Sequence, residues 1–138
     1  MPHSLSFNIR YLYKSLETGI HVPATLQHGN KTTLCQAKVD TGSEVCLFQR
    51  DLADALGIDV ESGFRRELRT LTSGGLIAYG HTITLHTLGL AFDSFVYFAA
   101  DYYLLRNILG RDGWLQKVRL AIVDYDLEIY LNPWHQAD

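Results

Sequence analysis

A period of two runs through nearly the whole of this chain and constrains its fold more than any other feature. Leu5, Phe7, Ile9 and Tyr11 alternate with Ser6, Asn8 and Arg10. Successive side chains of a strand point to opposite faces, so this pattern predicts a first strand. Residues 20–27 and 32–39 predict two more, with Gly29-Asn30 turning the chain between them. Extended segments follow at 64–72, 76–87 and 90–99. Alternation returns at Val118, Leu120 and Ile122, then at Leu127, Ile129 and Leu131, around a turn near Asp124-Tyr125-Asp126. Helical spacing is confined to residues 50–56, where Leu52, Ala53 and Leu56 share a face and Gly57 stands ready to end the helix, and to a short stretch at 112–117. With so many strands and so little helix, the expected fold is an all-β closed barrel rather than a βαβ sheet.

The 138 residues, 47% apolar and 20% charged, suit one soluble domain spanning 1–138, large enough to bury a core without disulfides or metal. A net charge of −3 argues against a nucleic-acid surface, which carries a basic excess. The cluster Arg65, Arg66 and Arg69 is interrupted by Glu67 and reads as the solvated face of a strand. Cys35 and Cys46 lie in apolar runs and are expected to be buried free thiols, which suits a reducing cytoplasm. The N-terminus lacks the basic start and apolar run of a secretion signal, and no apolar stretch approaches membrane-spanning length. A cytoplasmic protein with no membrane partner is the expectation.

One segment carries chemistry. Asp40-Thr41-Gly42-Ser43 sits between the extended residues 34–39 and the apolar run Val45-Cys46-Leu47-Phe48, and far along the chain stands Ile108-Leu109-Gly110-Arg111-Asp112. An Asp-Thr-Gly alone is weak, since average composition produces it by chance in roughly a few of every hundred chains this long. Its setting is what informs. Hydrolysing an amide requires a group that takes a proton from water and one that gives a proton to the carbonyl oxygen. Two adjacent carboxyl groups do both when they share one proton, because like charges so close cannot both ionise. Such a pair works best on the acidic side of neutral. This chain has one such Asp, so the reaction implies a symmetric dimer.

In that order these segments resemble the retropepsin-like aspartic proteases, the single-lobe relatives of pepsin. The resemblance runs from about His21 to Leu131. It implies an acid-protease-type barrel of one lobe and an aspartic endopeptidase, with Asp40 paired with its own copy across a homodimer. It implies that the Thr41 hydroxyl ties the two Asp loops together and that Gly42 lets the turn close and a substrate backbone approach. Ser43 stands where many cellular members have Ser. Ile108, Leu109 and Gly110 resemble the psi-loop segment that packs behind the Asp turn. Arg111 resembles an arginine that pairs with an acidic residue just after that turn, here Glu44. Gly74 and Gly75, with Ser73, match the tip of the flap that closes over substrate and excludes water. The helix at 50–56 is a departure from the compact retroviral members toward bacterial and cellular ones. A substrate would lie extended between flap and turn, its main chain hydrogen-bonded and alternate side chains in apolar pockets. No cofactor and no metal are implied.

Other constellations fare worse. His81 and His86 fall on opposite faces of a strand, and His3, His21, His28 and His135 show no ligand spacing. Asp124, Asp126 and Glu128 are too few for a calcium loop. Apolar neighbours disfavour a Cys nucleophile. Two competing readings stand beside the protease: a non-catalytic module of the same fold that dimerises or binds peptide, and an unrelated β-barrel binding protein. The segments 5–13 and 127–134 suit either exchange between subunits or pairing inside one.

Overall fold

Alternation becomes strands in the computed structural model, which describes residues 1–15, 18–70 and 74–135. The first hairpin joins β2 (His21–His28) to β3 (Lys31–Val39) through Gly29-Asn30, where Gly29 takes the left-handed φ of 61° that the turn requires. Val22, Ala24 and Leu26 of β2 face the core, while Pro23 faces solvent. Next come β4 (Leu47–Phe48), the helix α1 (Arg50–Ala55) and a second hairpin of β5 (Phe64–Thr70) and β6 (Gly74–Thr87). Gly57, with φ 70°, ends α1 as expected. β7 (Leu90–Ala99) returns along β6, and β8 (Asn107–Leu109) enters beside β3.

The strands run in the order β2-β3-β8-β4-β7-β6, and a further pairing of β6 with β2 closes them into a six-stranded barrel. The length of β6 makes closure possible. One end pairs with β5, leaving that hairpin to project, and the other end pairs with β2 and β7. Inside the barrel lie Phe48, Phe98, Trp114, Leu26, Leu85 and Leu109, all fully buried. Each contributes about 1.5–3 kcal/mol by leaving water. The Trp114 indole N–H, which burial would otherwise strand, donates to the Thr87 hydroxyl at 2.9 Å.

A second sheet stacks β1 (Ile9–Leu12), β10 (Glu128–Pro133) and β9 (Val118–Val123) in the order β1-β10-β9. The terminal strands thus pair inside one chain. Two expectations change in detail. The first strand begins at Ile9 rather than Leu5, because the buried Asn132 side chain takes the place of a ladder partner: it accepts from Asn8 N–H at 2.9 Å and donates to Ser6 O at 2.8 Å. The stretch 112–117 forms only a 3-10 turn at Leu115–Lys117, since Asp112 bridges to Val45 and Gly113 takes a φ of 104°. The turn 124–126 is also 3-10. Ser73, Leu71 and Thr72 lie outside the described residues.

Candidate active site

β3 delivers Asp40 to the edge of the barrel, where two loops meet. The Asp40 N–H donates to Leu109 O at 2.9 Å, extending the parallel β3–β8 pairing by one bond. Its Oδ1 accepts from Gly42 N–H at 2.9 Å, and Ser43 N–H donates to Asp40 O at 3.2 Å. The carboxylate is therefore oriented by its own turn, with Asp40 half-buried and Thr41 and Gly42 exposed. The Ser43 hydroxyl donates to Val45 O at 2.7 Å, which braces the far side of the turn.

The segment from Ile108 to Asp112 grips this turn through the main chain. Arg111 N–H donates to Ser43 O at 2.9 Å and Asp112 N–H to Glu44 O at 2.8 Å. A Cβ at Gly110 would lie 2.1 Å from Val45 O and 2.8 Å from Ser43 O, so only glycine admits this approach. Beneath it, Gly110 N–H donates to Cys46 Sγ at 3.4 Å. Burial pushes the Cys46 thiol up to about 12, and Cys35 likewise. Both cysteines are free. They are inert packing residues rather than nucleophiles.

The expected Glu44–Arg111 pair is not formed. Glu44 reaches across to β5 and pairs with Arg66 at 3.0 Å, while Arg111 is exposed and makes no ion pair among the described residues. The contribution of Arg111 to the turn is its backbone. Arg66 is steered by a second partner, lying 5.6 Å over the Tyr97 ring, and its pKa is raised by hydrogen bonding with Tyr97 and then with Glu44. Sequence spacing gave no signal for this contact, because the strand carrying Arg66 reads only as solvated.

Gly74 and Gly75 open β6 opposite Thr70 and Arg69 at the end of the projecting hairpin. Gly74 has φ 77°, and a Cβ on Gly75 would strike Glu67 Oε1 at 2.3 Å. Between this hairpin and the Asp turn lies a small apolar cluster apart from the main core. Val45, Leu47, Ala78 and Tyr97 are buried there, and Leu68, Leu76, Leu104 and Ile108 are partly exposed around them. Sequence reading predicted apolar pockets without their residues; the signal lay in the strand positions one step out of phase with the core. Among the described residues, no group of three His, Cys, Asp or Glu side chains has metal-binding geometry.

No family model and no curated protein matches the chain. Solved structures do. The crystal structure of a retropepsin-like aspartic protease from Rickettsia conorii superposes with a TM-score of 0.63 over 90% of this chain and 97% of that one, at 19% identity. The fold is retropepsin-like. The EIAV protease complexed with the inhibitor HBY-793 matches at a TM-score of 0.50 and 16% identity, over 72% of this chain and 88% of that one. Within the retropepsin-like fold, the single barrel lobe carries one Asp turn, one buttressing loop and one projecting hairpin. Identities this low carry the fold and not the activity. Among the described residues, no helix is long and apolar enough to cross a membrane.

Proposed function

We propose that the protein is an aspartic endopeptidase acting as a homodimer, in which two Asp40 carboxylates meet across a two-fold axis and share a proton. One accepts a proton from the attacking water, and the other donates to the carbonyl oxygen of the scissile amide. The observation that carries this reading is the construction of the Asp40 turn. A carboxylate held by Gly42 N–H and clamped by Leu109, at an exposed edge, is half of such a centre and is chemically idle alone. Thr41 is exposed beside it, where a second copy would meet its hydroxyl. Gly74 and Gly75 lie at the end of a hairpin suited to closing over a peptide. The partly exposed Leu68, Leu76 and Ile108 favour peptides with aliphatic or aromatic side chains beside the cleaved bond. The free cysteines suit a reducing compartment such as the cytoplasm.

The test is cleavage of an unfolded protein between pH 3 and pH 8, wild type beside Asp40→Asn, with sizing of both. Acid-favoured cleavage that falls by on the order of 10³-fold or more in the variant is expected, with the dimer intact. An intact dimer with no activity in either protein would leave the peptide-binding module as the better reading.

A further inference from the structure

The barrel has an open strand edge well away from Asp40. Hydrogen-bonding groups alternate sides along a strand. Val39 N–H donates to Ile20 O on the β2 side of β3, whereas Asp40 N–H donates to Leu109 O on the β8 side. Gln36 O accepts from Asn107 Nδ2 at 3.2 Å, also on the β8 side. The same phase turns the main-chain groups of Thr32 and Leu34 toward β8. Yet β8 pairs only with Ala37, Lys38 and Val39, so among the described residues the edge at Thr32 and Leu34 has no strand beside it.

A cleft of about 400 Å³ runs along this edge. Leu34 and Cys35, whose side chains point to opposite faces of β3, both line it, as a groove along a strand edge requires. Leu52 of α1, Leu105 and Arg106 complete its wall. That wall is preformed: Gln49 N–H donates to Asn107 Oδ1 at 2.8 Å, and Gln49 Nε2 donates to Leu104 O at 2.9 Å. Leu34 is 76% exposed and Leu105 is 88% exposed, so two leucines of the cleft lie largely in water. Arg106 lines the cleft and Lys31 begins the edge, and neither makes an ion pair among the described residues. No Asp or Glu lines the cleft. Of the carboxylates on α1, Asp54 accepts from the Tyr102 hydroxyl at 2.7 Å.

We propose that the open edge of β3, from Thr32 to Gln36, takes an extended acidic peptide segment as an added strand. Main-chain groups of Thr32 and Leu34, with the Gln36 N–H, supply the ladder, since Gln36 O is already held by Asn107; Leu34, Leu52 and Leu105 take an apolar side chain, and Arg106 and Lys31 take flanking carboxylates. The edge lies roughly 20 Å along β3 from Asp40, so occupancy leaves the Asp turn free. The same result is expected in Asp40→Asn, which separates failure of this site from failure of the protease reading.

The probe is a blocked octapeptide alternating glutamate and valine, titrated into the isotope-labelled full chain and followed by amide chemical shifts and hydrogen exchange. Exchange at the Leu34 and Gln36 amides should slow by about tenfold at saturation. Leu34→Pro should abolish binding and spare the fold, because the Leu34 N–H serves no bond to β2. Arg106→Glu should weaken binding by roughly two- to fivefold and favour the lysine-valine counterpart instead. The proposal is overturned by an absence of shifts at millimolar peptide, by protection confined to the Asp40 turn and the Gly74-Gly75 hairpin, or by unchanged affinity in both variants.

Discussion

The two apolar clusters among the described residues are opposite faces of the same strands. β4 gives Phe48 to the main core and Leu47 to the cluster beneath the hairpin; β8 gives Leu109 to one and Ile108 to the other; β7 gives Val96 and Phe98 inward and Tyr97 outward. The inner face is closed by the barrel and has nowhere else to go. Among the described residues the outer face is covered by the β5–β6 hairpin and by Leu104, and Leu68, Leu76, Leu104 and Ile108 stay partly in water. One alternating sequence therefore makes a closed face and a half-covered face, and what separates them is closure rather than composition.

Truncating a side chain on each face breaks or sharpens this contrast. Phe98→Ala removes a fully buried ring and should cost about 3–5 kcal/mol, read as a fall in the urea midpoint. Ile108→Ala, on the half-covered face, should cost only about 1 kcal/mol while altering which side chains the proposed peptidase accepts beside the cleaved bond. Equal losses of stability would mean that the outer cluster is a second core and not a binding surface.

The charged rim of that outer face should matter less. Glu44 is 76% exposed on its side chain and Arg66 31%, so Arg66→Met should change stability by no more than about 1 kcal/mol. Its effect should appear in the proposed peptidase activity instead, because the pair joins the Asp turn to the root of the hairpin. Raising ionic strength should bring the wild type toward the variant, since exposed pairs are screened. A loss of several kcal/mol in melting would show that Arg66, through Tyr97, holds the sheet together rather than the hairpin's position.

Strand positions were legible in the sequence because alternation is local. Residues 76–87 and 90–99 needed only their own pattern, and so did the helix ended by Gly57. The Asp40 turn was legible as a motif with its distant glycine, and the steric reason for Gly110 is visible only once Val45 lies against it. What escaped was decided by contacts across the chain. Asn132 cut the first strand short, Val45 bridged Asp112 and stopped a helix, and Arg66 outcompeted Arg111 for Glu44. Many cations lie within reach of one acid, and only the packing of β5 over Tyr97 selects among them.

The smallest expected effect tests whether the terminal sheet belongs to the closed face or merely covers it. Its inner residues, Ile129 and Leu131, are fully buried in the main core, whereas its outer side carries Arg10, Glu128 and Tyr130 in a hydrogen-bonded chain. The Glu128 carboxyl is held below its ordinary range, first by the hydrogen bond from Arg10 and then by that from Tyr130. A carboxyl lowered by folding adds stability above its unfolded pKa and loses it as pH falls through the lowered folded value. The wild type should therefore melt slightly above Glu128→Gln at neutral pH, and the two curves should converge in acid below the ordinary carboxylate range. A gap that persists at low pH would place the contribution of Glu128 in packing against β1. The outer side of this sheet would then be part of the closed face after all.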